Sequence, residues 1–266
     1  PMFRHADGTT GTVEADATLL ALGGASWPRL GSDGAFSDIL WERGVDVTPL
    51  RPANVGFRVD WSEIFRSRFA GEPLKNIAIG FGGKSVRGEA MVTEYGTEGG
   101  AIYALSAPLR EEVARAGSAT VTLDLLPQRS AEAIAERLAR QRPSESLANR
   151  LRKATQLAPV AINLMREAVR DLPRDPAALV ALIKSVPLTL GEPSGLARAI
   201  STAGGVSRDA VDDMLMLTAR PGTFVAGEML DWEAPTGGYL LQAVMATGVA
   251  AAAGIAARLG LQAKQG

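Results

Sequence analysis

Apolar and polar residues alternate in two short segments at the start of the chain. Residues 3–6 and 12–22 show this strand pattern, and Asp7-Gly8 between them favours a tight hairpin turn. The second segment ends in an apolar run at residues 17–22, which Gly23-Gly24 closes. A short apolar run of this kind predicts a strand that is buried on both faces.

A helix and another strand are predicted next, which gives the start of the chain a βαβ-like order. Gly31-Ser32-Asp33-Gly34 opens a helical segment at residues 35–43, and Gly44 ends it. Residues 45–50 then return to a strand pattern.

The middle of the chain changes character twice. Strands are predicted at residues 55–59, 76–81, 86–93 and 119–125, with one helix at 104–116. From residue 130 to 196 the apolar positions recur at helical spacings. Prolines divide this stretch into short helices; they are Pro143, Pro159, Pro173, Pro176, Pro187 and Pro193. The pattern predicts a β module followed by a small helical bundle.

An α/β pattern resumes near the end of the chain. Residues 200–205 and 223–226 are predicted strands that run into glycines, and Gly237-Gly238 opens a long helix at Tyr239–Ala257. That helix is low in charge, but Ala and Gly rather than Leu and Ile supply its apolar character. We therefore predict a buried helix that packs through small residues, not a membrane span.

The two ends of the chain are predicted to form one domain that is interrupted by two modules. Residues 1–53 and 197–266 make up this α/β domain, residues 54–127 the inserted β module and residues 128–196 the inserted helical module. A length of 266 residues fits one large domain or two ordinary ones.

Composition and charge exclude several classes of function. The formal net charge of −1 supplies no chain-wide attraction for nucleic acid or an anionic membrane. The absence of cysteine excludes disulfides, thiolate metal sites and catalytic thiols, and a single histidine, His5, cannot build a histidine-based metal site. We expect a cytoplasmic protein with no metal, no nucleic-acid partner and no membrane partner.

One segment resembles a phosphate-binding motif but lacks two features that the motif requires. Residues 78–85 end in Gly-Lys-Ser and resemble a Walker A loop, but Ala78 stands at the first glycine position. A strand-like segment follows at 86–93, where a P-loop needs the start of a helix. A β-hairpin turn is therefore predicted, and ATP binding that depends on Lys84 would contradict it.

Three groups of glycines follow predicted strands, where ligands bind in open α/β sheets. They are Gly23-Gly24, Gly204-Gly205, and Gly227 with Gly237-Gly238. Ordinary loop glycine remains the alternative for any one group. The last group adds Glu228, a carboxylate that can accept hydrogen bonds from ligand hydroxyls, and a helix start beginning with Tyr239-Leu240. This combination fits a flavin, which has ribityl hydroxyls and negative charge on its reduced ring.

Five blocks carry a resemblance to a known family. They are Leu20–Pro28 with Gly31–Gly34, Thr48–Ala53, Thr202–Val206, Ala226–Asp231 and Thr236–Gln242. In this order the chain resembles the bacterial HI0933-like (YhiN/BaiN-type) FAD flavoproteins, which are NAD(P)/FAD-dependent oxidoreductases. The resemblance covers both ends of the chain.

The resemblance implies a fold and a set of cofactor contacts. The fold is a glutathione-reductase-like FAD domain with an inserted β-barrel-like module and a small helical module. Gly23 and Gly24 are expected near the FAD phosphates or ribose, Gly227 and Glu228 at the ribityl chain, Gly237, Gly238, Tyr239 and Leu240 at the pyrimidine edge, and Gly204 and Gly205 near the isoalloxazine. NAD(P)H is the implied electron donor, a small molecule the substrate, and no catalytic acid or base is identified.

The sequence also departs from the family pattern. Leu22 stands where a threonine is common, and Glu94 and Gly100 replace the expected His and Pro. The Gly-x-Gly-x-x-Gly unit that holds the FAD pyrophosphate is absent from the 266 residues. We expect an incomplete FAD domain, the carboxyl-terminal part of a longer flavoprotein, that binds FAD weakly or not at all. The alternative is a non-catalytic fragment that associates with itself through an exposed sheet edge.

Overall fold

The computed structural model describes residues 2–142 and 144–261. The strands are β1 Met2–Arg4, β2 Thr10–Thr12, β3 Thr18–Leu20, β4 Val47–Ala53, β5 Phe57–Arg58, β6 Pro73–Phe81, β7 Lys84–Thr93, β8 Gly96–Glu98, β9 Ala119–Asp124, β10 Val186–Leu190, β11 Ser201–Val206 and β12 Thr223–Val225. The helices are α1 Phe36–Trp41, α2 Glu63–Phe69, α3 Gly100–Tyr103, α4 Ser106–Ala116, α5 Ala131–Ala139, α6 Leu147–Thr155, α7 Pro159–Ala168, α8 Pro176–Lys184 and α9 Tyr239–Arg258. The chain is a mixed α/β protein.

The chain separates into two compact units. One consists of the residues up to Ala53 together with those from Leu196 onward, and the other is Asn54–Gly195. The Asn54–Gly195 unit is built on a curled antiparallel sheet with the strand order β10-β9-β6-β7-β8-β5. Its inward positions include Ile79, Val92 and Val121, which are fully buried.

The Walker-like segment is a hairpin, as predicted. β6 and β7 pair up to Phe81 and Lys84, and Gly82 and Gly83 form the turn with φ values of 56° and 78°. Glycine adopts these positive φ values without a steric penalty, which is the requirement of a tight hairpin turn.

The helices predicted between residues 130 and 196 are α5 to α8, and their starts follow ordinary capping rules. The side chains of Ser130, Ser146 and Asp175 each accept a hydrogen bond from a backbone N–H in the first turn of α5, α6 and α8. Proline occupies the first turn of α7 and α8, where no donor is lost.

The helical pattern does not extend to residue 196, and this part of the prediction is wrong. Val186–Leu190 is a strand that pairs antiparallel with Leu123–Ala119 of β9. Val186, Leu188 and Leu190 are buried and the residues between them are exposed, so the segment alternates with the period of a sheet. Pro187 is tolerated because β10 is an edge strand and needs fewer backbone donors.

Within the residues that the structure describes, the other unit contains three small sheets and two α-helices. β1 and β2 form the predicted hairpin around Asp7-Gly8, β4 pairs antiparallel with β11, and β3 pairs in parallel with β12. Phe36 and Leu40 of α1 pack with Val206, Leu217 and Val225 in a common core. This arrangement places the loop after β3 and the loop after β12 at the same end of a parallel strand pair.

Two burial predictions for this unit are wrong. Leu19 of β3 and Leu22 beyond it are exposed, so the strand is not buried on both faces. α9 is also largely exposed, since only 11% of its most apolar 18-residue stretch is buried. It contacts Phe224 and the neighbouring residues through Ala251 and Gly254. By length and composition α9 is a helix that could cross a membrane, a test that apolar helices of other kinds also pass.

Candidate functional site

Two of the predicted glycine groups meet at Thr202, a residue of β11. Glu228 lies in a short 3₁₀ turn after β12, and its Oε1 accepts a hydrogen bond of 2.9 Å from the backbone N–H of Thr202. Gly24 lies against the same pair: a Cβ at that position would be 2.7 Å from Thr202 Cβ and 3.0 Å from Glu228 Cδ. The loops after β3 and β12 and the strand β11 thus converge, although they are far apart in sequence.

The Thr202 hydroxyl organises the loop that follows Gly24. Its oxygen accepts hydrogen bonds from the backbone N–H groups of Ala25 at 2.8 Å and Ser26 at 3.1 Å. Ser32 closes the loop from the other side by donating to the carbonyl of Gly24 at 2.6 Å. The amides of Ala25 and Ser26 are therefore used inside the protein, and Gly24 itself is buried against the side chains of Thr202 and Glu228.

Glu228 has unused capacity to accept hydrogen bonds. A carboxylate offers two acceptor oxygens, and Oε1 is bonded to Thr202. Among the residues that the structure describes, no donor contacts Oε2, and the side chain is half-buried. A hydroxyl-bearing ligand placed beside Gly24 would find an oriented acceptor there.

A second threonine connects this site to α9. The backbone N–H of Gly227 donates to Thr247 Oγ1 at 3.0 Å, and the Thr247 hydroxyl bonds in turn to the carbonyl of Ala243 at 2.9 Å. The turn that carries Glu228 is thereby fixed to the first half of α9. Motion of the helix start relative to Glu228 would break these bonds.

The start of α9 is exposed and has no side-chain cap. Gly238 is the N-cap residue with φ 91°, and no side chain bonds to the first amides of the helix. Gly237 and Tyr239 are exposed and Leu240 is half-buried. Uncapped amides at the start of a 20-residue helix are favourable to a carbonyl or an anion, because the helix dipole is positive there.

Gly204 and Gly205 occupy a different setting from the one predicted. They lie inside β11, at a bulge in its pairing with β4, and not beyond the end of the strand. Their φ values are 85° and 128°, and a Cβ would stand 2.8 Å from the carbonyl carbon of Pro49 at Gly204 and 3.0 Å from that of Met229 at Gly205. Close approach of the protein's own backbone is a sufficient reason for both glycines, and the contact with the isoalloxazine stays a prediction.

Sequence reasoning missed Thr202, Thr247 and Ser32 as organising residues. A threonine two residues before the pair Gly204-Gly205 was a visible signal for Thr202, whereas the contacts of the other two hydroxyls link residues that the sequence does not show to be neighbours. No group of three or more His, Asp or Glu residues suited to a metal ion occurs within the described residues.

The Asn54–Gly195 unit holds a second polar cluster that the sequence pattern did not predict. The Tyr95 hydroxyl donates a hydrogen bond to the Glu98 carboxylate, while Glu94 beside it is an exposed turn residue. Burial raises the pKa of the Tyr103 hydroxyl above its ordinary value, and the negative charge of Glu98 raises it further.

The cleft closest to the glycine loop does not include Glu228. It has a volume of about 510 Å³ and is lined on one side by Ala25, Asp33 and Gly34 and on the other by Trp41 and Leu50. The polar contacts at Gly24, Thr202 and Glu228, rather than this cleft, therefore define the candidate site.

Comparisons with known proteins bear on both units. The family model for the HI0933-like protein barrel and H2TH domain matches residues 51–201. The 3-dehydro-bile acid delta(4,6)-reductase of Clostridium scindens is 27% identical over 259 residues, which cover 92% of this chain and 63% of the reductase. The ribosomal RNA dihydrouridine synthase of Escherichia coli is 24% identical over 245 residues, which cover 87% of this chain and 58% of the synthase. The chain thus spans about three fifths of the length of these curated relatives.

Proposed function

The chain belongs to the HI0933-like family, and we propose that it forms part of an FAD-dependent oxidoreductase. The observation that carries the proposal is the unbonded Oε2 of the half-buried Glu228, whose other carboxylate oxygen is held by the backbone N–H of Thr202. The uncapped start of α9 in the same unit supports it. FAD, when bound, supplies hydride transfer, the two-electron chemistry that the protein's own side chains lack.

The residues present fit the flavin in the manner of a glutathione-reductase-like FAD domain. Glu228 would accept hydrogen bonds from ribityl hydroxyls through Oε2, and Gly24 leaves the room that the Thr202 and Glu228 side chains occupy beside the loop after β3. Gly237, Gly238, Tyr239 and Leu240 would present helix amides to the pyrimidine edge, where reduced flavin carries negative charge. Thr247 would hold these two regions in register through its bond to Gly227.

The names of the relatives suggest a class of reaction. A delta(4,6)-reductase saturates ring double bonds, and dihydrouridine is uridine with a saturated ring double bond. In both cases a carbon–carbon double bond in a ring gains a hydride and a proton. We therefore extend the proposal to reduction of a carbon–carbon double bond conjugated to a carbonyl, with NAD(P)H as the electron donor.

Flavin titration of Glu228 variants tests the cofactor proposal. FAD binding to this chain is expected to be weak, and Glu228→Ala should raise the dissociation constant by about tenfold or more, the value of one hydrogen bond to a charged group. Glu228→Gln retains an acceptor oxygen and should lose less. FMN should bind about as well as FAD, because the proposed contacts reach the ribityl chain and ring and not the pyrophosphate.

Asp231→Asn provides the matched control, since this exposed carboxylate lies three residues after Glu228. Flavin fluorescence and equilibrium dialysis would report both affinities. Equal flavin affinity of the wild type and Glu228→Ala, or an equal loss in Asp231→Asn, would remove the basis of the proposal.

A second candidate function is favoured by the surface of α9. Leu241, Met245 and Val249 recur every four residues on one side of the helix, and each is more than half exposed. A contiguous apolar stripe on a helix is typical of an interaction surface. A fragment that acts only by association would use this face and would not need flavin.

A further inference from the structure

The charge of the chain is unevenly distributed. The formal total is −1, yet residues 128–185 contain eleven Lys and Arg residues and six Asp and Glu residues, a net charge of +5. The remainder therefore carries −6. The segment that contains α5 to α8 is therefore basic, whereas the rest of the chain is acidic. The total charge of the chain does not show this difference.

Four of these arginines line one open cleft, which we call the arginine cleft. It has a volume of about 860 Å³ and is lined by Arg150, Arg166, Arg170 and Arg174 together with Glu145, Asp171, Leu147 and Leu172. Of the two carboxylates, Glu145 already forms an ion pair with Lys153 at 2.8 Å. The cleft consequently keeps an excess of positive charge.

The guanidinium groups of the cleft make few hydrogen bonds or ion pairs with other described residues of the protein. Within the described residues, Arg150, Arg170 and Arg174 take part in no ion pair or side-chain hydrogen bond, and the Nε atom of Arg150 is buried without a partner. Arg166 has one long hydrogen bond of 3.5 Å to Asn163. Because that Nε atom is buried, an acceptor on a ligand would meet the exposed side chains of Arg166, Arg170 and Arg174.

In contrast to the expectation from the total charge of −1, we propose that the arginine cleft binds the phosphate backbone of a single-stranded nucleic acid. A guanidinium group matches the phosphate oxygens with two parallel hydrogen bonds, and four such groups in a concave site suit successive phosphates better than a flat bilayer. Leu147 and Leu172 add apolar surface for the base faces. This binding does not require flavin and is therefore separate from the proposed reductase activity.

The direct test is fluorescence anisotropy with a labelled uridine-rich RNA of about 12 nucleotides, a length within the usual range of single-strand sites. Wild-type protein should bind the RNA with an affinity that falls as salt rises. The double variant Arg170→Gln/Arg174→Gln should bind about tenfold or more weakly. It should also show a shallower slope of log affinity against log salt, by about 0.7 for each lost phosphate contact.

The control variant Arg43→Gln/Arg115→Gln removes the same charge from exposed positions outside the cleft and should retain full RNA affinity. Far-ultraviolet circular dichroism verifies that both variants are folded. Failure of the wild type to bind RNA, equal losses in the two double variants, or binding only to phosphatidylglycerol vesicles would each overturn the proposal. Binding of the matching DNA strand with the same sensitivity to Arg170 and Arg174 would support it.

Discussion

Glu228 Oε1 lies 2.9 Å from the backbone nitrogen of Thr202 and accepts its hydrogen bond. This single contact joins the turn after β12 to the start of β11, and it fixes one carboxylate oxygen while the other stays available. The same side chain therefore has a structural role and a proposed binding role, which require separate tests.

Removal of the Glu228 carboxylate should destabilise the protein even without a ligand. Thr202 is almost fully buried, so Glu228→Ala leaves its N–H unpaired and should lower the free energy of unfolding by about 1–3 kcal/mol. Glu228→Gln retains an acceptor and should cost less than about 1 kcal/mol. Urea denaturation followed by circular dichroism measures both changes, and an unaltered midpoint in Glu228→Ala would contradict the assigned hydrogen bond.

Two glycine-to-alanine substitutions should act in opposite directions. At Gly205 an added Cβ would stand 3.0 Å from backbone carbons of Met229 and Leu230 at a φ of 128°, so Gly205→Ala should cost about 2 kcal/mol or more. At Gly248, within α9, nothing lies within 4 Å, so Gly248→Ala should stabilise by about 0.5–1 kcal/mol through helix propensity. Thermal unfolding would compare the two, and a tolerated Gly205→Ala would show that β11 does not approach this backbone closely.

Tyr103 should make the protein less stable at alkaline pH. Its pKa is raised in the folded state, so the unfolded chain loses the phenolic proton first, and stability falls as pH rises above about 10 toward the folded-state pKa. Tyr103→Phe should remove this part of the decline, and Glu98→Gln should bring the pKa back toward its ordinary value. Denaturation curves between pH 8 and pH 11, about one unit or more on each side of the ordinary tyrosine pKa of about 10, provide the measurement. A decline of equal steepness in Tyr103→Phe would contradict the prediction.

Self-association should depend on the exposed stripe of α9. Met245 and Val249 are 63% and 71% exposed, so Met245→Glu/Val249→Glu should reduce association while hardly changing stability. Ile64→Glu alters an equally exposed apolar residue of the other unit and serves as the control. Light scattering across a concentration series would report the change. A clean monomer in the wild type would argue against this surface.

Local signals in the sequence predicted local structure well. The turns at Asp7-Gly8 and Gly82-Gly83 require positive φ values that few residues other than glycine adopt, and both hairpins are present. The helix predicted at residues 104–116 is α4, Ser106–Ala116. Glu228 and Gly24 are predicted site residues because they follow predicted strands, where ligands bind in open α/β sheets, and their role in binding stays a prediction.

Features that depend on distant partners were not predictable from one sequence. Val186–Leu190 becomes a strand because β9, more than 60 residues earlier, offers it an edge. The Ala-rich sequence of α9 resembles that of a buried helix, and only the packing partners reveal which face is covered. Thr202 is important because its hydroxyl oxygen accepts hydrogen bonds from the backbone amides of Ala25 and Ser26, which are 177 and 176 residues away in the sequence.

The pairing of β9 with β10 has a topological consequence for the helical segment. Leu123 and Val186 are directly opposite each other in an antiparallel ladder, so the four helices α5 to α8 leave and re-enter the sheet at neighbouring positions. In topological terms they replace the loop of a β-hairpin. The register of β9 and β10 therefore does not depend on the number of helices between them, whereas α7 and α8 are constrained by their packing on β10 and β9.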